Sequence, residues 1–546
     1  MNKKNILFIS FIEIFYLIFS LFIIFDLNSS FFSSSLILDE KSYVQGAMLL
    51  LKDGLPDRPF YQAPLYPFLI AGMFSLFGFS LFFLKMLNVL FGLLTLFLLF
   101  RLALVLFDKK TALFSASLMI FSGLLYFTQG LILKISISLF FFTGFLYFVV
   151  LFFRCKKICF LVLSALFLSI LSLLRENAVI LIVPTLLCFF LIPVKLQKKL
   201  ISAFLFLLVF SAILSPFAVF NSMKSGSLTI TSSQAGHNFY IGNNPASYGR
   251  YTSVSGIESN PFYQEKTFTE AAKEQTGTHQ PGSYWIKKAL QSIQEDKKRF
   301  LRLLMIKTWL FFNDYEIPNN RNFYFERSFF APLLYLFPIS FGILFPLSLV
   351  GCISSLKKRR LEEIFLISVF FVYAISVILF YVLSRYRILI WPIAILYAAR
   401  GFIVLLQYMR NLQIKRLLLT LTLIAAVSLF SFHVIEVEGR LNPFPTFSRE
   451  ELHTKEFSYV LYNMGAVFFQ NGEFSQARGI LQTLIQVNPD YTYAYYMLAR
   501  INAEMKNFDE MVQNYSIVLK RKKELLKPED IMLLEKYNTA ERDKDE

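Results

Sequence analysis

The chain consists of long apolar runs separated by short polar segments. Most runs are about 20 residues long, the length at which an α-helix crosses the hydrocarbon core of a bilayer. A shorter apolar stretch at 64–77 contains Pro67 and Gly72, and it is better suited to a helix lying at the membrane interface. We predict eleven transmembrane helices, near residues 6–25, 81–106, 111–127, 135–153, 158–174, 178–194, 200–220, 333–356, 362–382, 388–408 and 417–435.

Clusters of Lys and Arg occupy every second turn between these runs. They lie at the N-terminus and at 109–110, 154–157, 195–199, 357–360 and 410–416. Cytoplasmic loops carry such an excess of positive charge, so the alternation predicts a cytoplasmic N-terminus. A first loop at 26–80, a large loop at 221–331 and the C-terminal tail then share the opposite, outer face of the membrane.

Composition and charge narrow the class of protein. Of 546 residues, 56% are apolar and 17% charged, which excludes a soluble enzyme, a secreted factor and a disordered scaffold. The net charge of +17 follows from the clusters between spans, so no nucleic-acid partner is expected. The four cysteines lie in or beside apolar runs and predict neither a disulfide framework nor a metal site.

The C-terminal tail has the composition of a soluble helical domain with an internal repeat of 34 residues. In the first copy, the key positions are Gly465, Ala477, Leu481 and Pro489. A shift of 34 places Ala499, Met511 and Tyr515 on the first three of them. This spacing is typical of tetratricopeptide repeats. We predict a membrane domain at 1–435, a linker at 436–457 and a repeat domain at 458–546 that binds a protein partner or acceptor.

The first loop contains the strongest candidate for a catalytic residue. No glycine-rich phosphate loop, nucleophile elbow or Cys/His metal spacing occurs, and no cofactor is expected. Asp39 precedes an amphipathic segment, and a carboxylate held between interfacial helices could accept a proton from an attacking hydroxyl. An aspartate in this position could equally cap a helix. Position alone leaves both interpretations of Asp39 open.

Several segments together resemble those of polytopic glycosyltransferases of the protein O-mannosyltransferase and aminoarabinose transferase type, in particular bacterial members with C-terminal tetratricopeptide repeats. The resemblance runs through most of 1–435. The segments are Asp39-Glu40-x-x-Tyr43, Gln62-Ala63-Pro64-Leu65-Tyr66-Pro67, Asn238-Phe239-Tyr240-Ile241-Gly242-Asn243-Asn244-Pro245, Glu316-Ile317-Pro318-Asn319-Asn320 and Ser384-Arg385-Tyr386-Arg387.

The resemblance implies an all-α polytopic fold of the GT-C type and a sugar donor carried on polyprenyl phosphate, which is a substrate and not a cofactor. It implies that Asp39 is the general base of an inverting transfer. The phosphate leaving group needs cations, for which we expect Arg385 and Arg387, and also Lys134 and Arg175. Alternatively, Arg385 and Arg387 anchor the chain at the headgroups, and Arg175 forms an ion pair with Glu176.

Two departures from the family pattern affect the expected chemistry. Relatives usually carry an acidic residue in the short loop where this chain has Lys134. Either Glu40 or a large-loop residue takes that role, or activity is altered or absent. Aminoarabinose transferases have Lys where this chain has Ala63, which argues against an aminoarabinose donor.

Residues that contact the sugar or the acceptor are sought among aromatic, amide and imidazole side chains of the two loops. Tyrosine and tryptophan could instead belong to an interfacial belt. The candidates are Tyr43, Tyr61, Gln62, His237 and Asn243.

The resemblance thus implies a glycosyltransferase of a bacterial inner membrane that acts on a protein, lipid or glycan acceptor. Its active site and its C-terminal repeats are then expected on the periplasmic side. Two alternatives remain open: a glycan polymerase or ligase, which would depend on His237 and large-loop arginines such as Arg250, and a non-catalytic envelope assembly factor that binds partners through its repeats.

Overall fold

The computed structural model describes residues 3–542 except 31–32, 34–35, 253, 255–256, 258–260, 277–280, 357–359 and 433–448. In these described ranges, the regular elements are helices, together with one isolated bridge between Ser122 and Pro338. The predicted all-α fold class is confirmed.

The helices that precede the large loop include long apolar helices and short connecting ones. They are α1 Lys3–Asn28, α2 Leu38–Asp53, α3 Leu65–Phe77, α4 Leu81–Leu106, α5 Lys109–Ile120, α6 Gly123–Gln129, α7 Ile135–Cys155, α8 Ile158–Leu174, α9 Ile182–Leu191 and α10 Leu196–Ser225. A 3-10 turn, Glu176–Leu181, leads into α9.

The large loop contributes short helices, and the chain then returns to long apolar ones. These helices are α11 Ala235–Asn243, α12 Pro261–Thr276, α13 Pro281–Glu295, α14 Lys297–Phe312, α15 Phe323–Phe329, α16 Phe341–Leu356, α17 Leu361–Ile378, α18 Ser384–Arg387, α19 Trp391–Arg410 and α20 Ile414–Phe432.

Seven described helices are long and apolar enough to cross a membrane, and each coincides with a predicted span. Three more predicted spans correspond to shorter apolar helices: α8, α16 and the segment Glu176–Leu191. Helix α3 has 13 residues, fewer than the roughly 20 that a perpendicular span requires. The chain is a multi-pass membrane protein.

The expected continuous helix at 111–127 is not present. The chain forms α5 and α6 instead, because the backbone between them bonds to the segment that precedes α16: Gly123 N donates to Phe337 O across 3.2 Å, and Ile339 N donates to Phe121 O across 2.9 Å. A Cβ atom on Gly123 would lie 2.9 Å from Phe337 O, so this close approach requires glycine.

The repeat domain consists of two antiparallel helical pairs and a final helix. The first pair is α21 Arg449–Gln470 and α22 Phe474–Val487, the second is α23 Thr492–Glu504 and α24 Phe508–Arg521, and the final helix is α25 Pro528–Arg542. Gly465 is small because a Cβ atom there would lie 2.7 Å from Leu481 Cγ. In the second pair, Ala499, Met511 and Tyr515 pack in one buried cluster. The positions that define the 34-residue repeat are therefore helix-crossing positions in the structure.

Candidate active site

Asp39 lies in the first turn of α2 and is almost fully buried, with 4% of its surface exposed. The residue before it, Leu38, has a φ of 45°, a left-handed conformation that residues with a Cβ atom seldom adopt. The N-cap position is Ile37, and it carries no side-chain cap hydrogen bond. The capping role considered for Asp39 is therefore absent, and its carboxylate faces other segments of the chain.

Two side chains hold the Asp39 carboxylate. Gln62 Nε2 donates to Oδ1 across 2.7 Å, and Arg385 Nη1 donates to Oδ2 across 2.5 Å. Gln62 is itself oriented by Ser42, whose hydroxyl donates to Gln62 Oε1 across 3.0 Å. Burial alone would raise the pKa of Asp39, but the charge and hydrogen bonding of Arg385, with a bond from Asn320, lower it below its ordinary value of 3.8. Asp39 is therefore an ionised, buried carboxylate.

Arg385 belongs to the single turn α18, which is fixed by the large loop. Ser384 N donates to Ile317 O across 3.2 Å, and Val382 N donates to Gly249 O across 2.9 Å. The Arg385 guanidinium also donates to Asn320 Oδ1 and to the Tyr386 hydroxyl, each across 3.3 Å. The first loop, the large loop and α18 therefore meet at the Asp39–Arg385 pair.

Lys134 and Arg175 bring further positive charge to this region. Lys134 Nζ lies 3.9 Å from a carboxylate oxygen of Glu176 and 5.5 Å from the ring centre of Tyr43. Glu176 also accepts hydrogen bonds from Ala63 N across 2.7 Å and from Gln234 Nε2 across 2.6 Å. The ionised forms of Lys134 and Glu176 thus compensate each other.

Arg175 is 3% exposed, and its guanidinium carbon lies 5.9 Å from the ring centre of Tyr386. In the described part of the chain, no carboxylate lies within ion-pair distance of Arg175, and its Nε has no hydrogen-bond partner. The ion pair considered between Arg175 and Glu176 is not formed, because Glu176 faces Lys134 instead. Arg175 is therefore a buried cation whose charge is not matched by a contacting acid.

Glu40 faces a different set of residues from Asp39. One carboxylate oxygen accepts a hydrogen bond from Ile132 N across 3.0 Å, and the other lies 4.0 Å from Arg321. Arg321 also pairs with Glu326, to which Nη2 donates across 2.6 Å. Burial raises the pKa of Glu40 above its ordinary value despite the charge of Arg321. These contacts fix the backbone before α7. The carboxylates of the adjacent residues Glu40 and Asp39 therefore have different partners.

Arg387 is oriented toward the end of the large loop, away from the Asp39 carboxylate. It forms a buried ion pair with Glu316, with Nη2 2.7 Å from the carboxylate, and Nη1 donates to the carbonyl of Asn313. Its guanidinium also lies 4.6 Å from the ring centre of Phe341. These contacts occupy both terminal nitrogens, so the geometry gives Arg387 a structural role.

Tyr61 and His237 form a separate buried group. The Tyr61 hydroxyl donates to Gln264 Oε1 across 3.0 Å and lies 3.3 Å from His237 Nδ1. The imidazole stacks on Phe268 with a ring separation of 4.3 Å. Burial lowers the pKa of His237 to about 3, so the imidazole is neutral near pH 7. Tyr61 of this group precedes Gln62, which holds Asp39, directly in the chain.

Asn243 stabilises the fold of the large loop. Its amide nitrogen donates to the carbonyls of Phe239 and Leu379, and its oxygen accepts from Lys307 Nζ across 2.9 Å. Tyr43 lies nearer the site, where Lys134 faces its ring and Tyr66 packs edge-on at 5.1 Å. Of the expected sugar or acceptor contacts, Gln62 and Tyr43 are the ones adjacent to the charged cluster.

Sequence reasoning missed three side chains that complete this cluster. Asn320 bonds Arg385, Tyr386 faces both Arg385 and Arg175, and Glu176 balances Lys134. Asn320 and Tyr386 belong to segments that carried the resemblance, and Glu176 follows Arg175 directly. Their positions were therefore visible, but their partners could not be assigned without the three-dimensional arrangement.

A small cavity of about 50 Å³ lies beside Arg385. Its lining includes Asn320, Arg321 and mostly apolar side chains from 124–135. Pockets for drug-sized ligands measure about 300–1,000 Å³, so a ligand of that size fits only after the surrounding side chains move. In the described residues, no group of three His, Cys, Asp or Glu side chains is arranged to hold a metal ion.

Two family models match parts of the chain. Residues 57–220 match the family described as dolichyl-phosphate-mannose-protein mannosyltransferase, and residues 459–491 match the tetratricopeptide repeat. The first match contains Gln62, Lys134 and Arg175, whereas Asp39 and Arg385 lie outside it. No curated protein matches the chain significantly.

Solved structures with detectable similarity are distant. The archaeal oligosaccharyltransferase AglB from Archaeoglobus fulgidus, in complex with an inhibitory peptide and a dolichol-phosphate, is 13% identical with a TM-score of 0.42 over 77% of this chain. The match spans 54% of the AglB chain, about half its length. ArnT from Cupriavidus metallidurans, bound to undecaprenyl phosphate, is 13% identical with a TM-score of 0.35, covering 74% of this chain and 78% of ArnT.

The resemblance read from the sequence motifs is confirmed at the level of domains. The chain is a multi-pass membrane protein in which residues 57–220 are similar to the mannosyltransferase family and residues 459–491 to the tetratricopeptide repeat.

Proposed function

We propose that the protein is a membrane glycosyltransferase that moves a sugar from a polyprenyl-phosphate donor to an acceptor hydroxyl or amine. Residues 57–220 match a family whose description names a sugar carried on a lipid phosphate. This description supports a polyprenyl-phosphate sugar as the donor. The membrane-embedded fold supports a donor that resides in the bilayer. We assign the reaction to the periplasmic face, on the basis of the basic clusters in alternate turns.

The charge balance around Asp39 carries this proposal. Three cations, Arg385, Lys134 and Arg175, face two carboxylates, Asp39 and Glu176. Two of the cations have an acidic partner, and Arg175 has none in the described part of the chain. A buried unpaired charge is costly, and one phosphate diester carries the single negative charge that would balance it.

The proposed reaction transfers the acceptor proton to Asp39. The acceptor oxygen attacks the anomeric carbon from the face opposite the phosphate, so the new C–O bond has inverted configuration. The bond between the anomeric carbon and the phosphate oxygen breaks, and its electron pair leaves with polyprenyl phosphate. Arg175, Arg385 and Lys134 stabilise the charge that develops on the phosphate, while Gln62 keeps Asp39 oriented.

The ion pair between Arg385 and Asp39 explains how a carboxylate with a lowered pKa acts as a base. While Arg385 holds Asp39, the carboxylate is a weak proton acceptor. A donor phosphate competes for the same guanidinium. When Arg385 turns toward the phosphate, Asp39 loses its strongest stabilising contact and becomes more basic, and the small cavity beside Arg385 enlarges.

The test is a pair of neighbouring isosteric substitutions. Asp39→Asn removes the base, and we expect sugar transfer to fall by a factor of about 10²–10⁴ while the protein stays folded. Glu40→Gln is the matched control because Glu40 is also buried in α2 but faces Arg321. Its raised pKa favours the protonated form, which Gln mimics.

Transfer is measured in membranes as the incorporation of label from a labelled polyprenyl-phosphate sugar. Wild-type-like transfer by Asp39→Asn would refute the assignment and would favour an assembly factor without catalysis. Equal losses in both variants would show that the effect is structural and would also contradict a specific role for Asp39.

A further inference from the structure

The repeat domain packs directly against the segment that presents Asp39. Ile37, Val460 and Val467 form a small buried cluster, which Met464 and Phe325 extend. Ile37 precedes Asp39 by two residues, and its carbonyl accepts the Glu40 amide across 3.0 Å in the first turn of α2. Helix α21 of the repeat domain therefore contacts the start of the helix that holds Asp39.

A second contact joins α21 to the residues that hold Arg385. The Tyr459 hydroxyl donates to Asn319 O across 2.8 Å. The Asn319 side chain donates to Asn320 Oδ1 across 2.7 Å, and the same oxygen accepts from Arg385. Through the backbone and side chain of Asn319, these hydrogen bonds connect the repeat domain to the guanidinium that contacts Asp39.

Further contacts surround these two. Phe457 packs against Phe325 with ring centres 5.4 Å apart, and Lys41 Nζ donates to Gln470 Oε1 across 3.0 Å. One helix of the repeat domain therefore contacts both sides of the Asp39–Arg385 pair: the start of α2 on one side and the 319–329 segment on the other.

The contacts between Ile37 and α21 lie next to Leu38, which has a left-handed backbone conformation. A non-glycine residue in a left-handed conformation is strained and persists where its surroundings hold it in place. The surroundings of Leu38 include the apolar contacts of Ile37 with α21. Precise placement of a catalytic carboxylate is worth large factors in rate.

We propose that α21 is a positioning element of the active site, with Tyr459 as its principal polar contact. The repeat domain then does more than bind partners: it holds the first loop and the 319–320 segment at the separation that Asp39 and Arg385 require. This inference rests on the proposed function. Arg175 and Lys134 are held by other contacts, so the loss of one α21 contact lowers turnover more than it weakens the affinity for the phosphate, to which Arg385 also contributes.

The principal test uses Tyr459→Phe in the full-length protein, with Tyr495→Phe in the repeat domain as the matched control. One hydrogen bond contributes about 0.5–1.5 kcal/mol, so we expect the rate at saturating donor to fall between about twofold and tenfold. The donor KM and the Kd for undecaprenyl phosphate should change less than the rate, and Tyr495→Phe should match the wild type. An unchanged rate in Tyr459→Phe, or a parallel loss of lipid affinity, would overturn the proposal.

A cross-link tests the docked arrangement independently of side-chain loss. The variant Lys41→Cys/Gln470→Cys is made with Cys155 and Cys159, both exposed, replaced by Ser. A bifunctional methanethiosulfonate reagent, which spans a longer distance than a direct disulfide, should link α2 to α21 and leave transfer unchanged, because the docked arrangement is the active one. Inhibition on cross-linking that a reductant reverses would overturn the proposal, since it would mean that the repeat domain must move away.

The outcomes for the two levels of the proposal are distinct. If Asp39→Asn transfers sugar normally, the proposed function fails before the role of α21 is reached. If Asp39→Asn is inactive and Tyr459→Phe behaves as the wild type, the catalytic assignment stands and the positioning role alone is refuted.

Discussion

Arg385 donates a hydrogen bond to Asp39 across 2.5 Å, although the two residues are 346 positions apart in the chain. The pair joins the first loop to the turn before α19, and the large loop holds that turn in place. An early carboxylate and a late arginine that meet in a buried, charged cluster are the structural basis of the function proposed here.

Arg175 should contribute strongly to lipid-phosphate binding because no acidic residue of the described chain contacts it. Hydrogen bonds to charged groups are worth about 1.5–3 kcal/mol. We therefore expect Arg175→Gln to weaken the Kd for undecaprenyl phosphate by about tenfold or more, with a smaller loss in Arg175→Lys. Ligand-induced thermal shift of the purified protein gives the measurement. Equal affinity in the wild type and Arg175→Gln would remove Arg175 from the site.

Arg387 should behave in the opposite way, as a residue that the fold needs. Removal of one partner from a buried ion pair costs about 3–5 kcal/mol. Arg387→Gln leaves Glu316 without its ion-pair partner, so we expect a clear fall in the unfolding temperature. Size-exclusion chromatography after heating measures this temperature. The double variant Arg387→Gln/Glu316→Gln should recover part of the loss. A stable Arg387→Gln protein with weakened lipid binding would instead support a direct role in phosphate binding.

The pH dependence of transfer should report the contact between Arg385 and Asp39. Asp39 acts when ionised, and Arg385 lowers its pKa below the ordinary 3.8. Without Arg385, burial remains and raises the pKa, so the acidic limb of kcat/KM in Arg385→Gln should move to higher pH. Arg478→Gln, in the repeat domain, is the control. An acidic limb at the same pH in both variants would contradict the assignment of Asp39 as the base.

His237 should not contribute to the pH dependence. Burial lowers its pKa to about 3, so the imidazole stays neutral and does not titrate between pH 5 and pH 8. We expect His237→Gln to leave the shape of the pH profile unchanged, even if altered packing on Phe268 reduces the overall rate. Loss of an inflection near pH 6.5 in this variant would favour the polymerase or ligase chemistry considered from the sequence.

Much of the fold could be predicted because membrane spans and repeats are periodic features of a single chain. The seven long spans follow from the length of apolar runs, and the repeat positions follow from a fixed interval. The break between α5 and α6 could not be predicted, because it depends on backbone bonds from Gly123 and Ile339 to segments more than 200 residues away. Hydropathy does not record such partners.

The candidate active site was also predicted only in part. The motifs identified Asp39 and Arg385, which the structure brings into contact. They did not distinguish Arg385 from Arg387, because residues two apart in a short turn point to different neighbours, and only one of them faces Asp39. Glu176 pairs with Lys134, which leaves Arg175 without an acidic partner in the described residues. This pairing also depends on tertiary packing, which the spacing of residues in the sequence does not reveal.

The most direct test of the central claim is a structure of the full-length protein with undecaprenyl phosphate bound. The account predicts phosphate density within hydrogen-bond distance of both Arg175 and Arg385, with Arg385 turned from Asp39 and the carboxylate open to an acceptor. Phosphate bound elsewhere, with the Arg385–Asp39 ion pair intact, would contradict it.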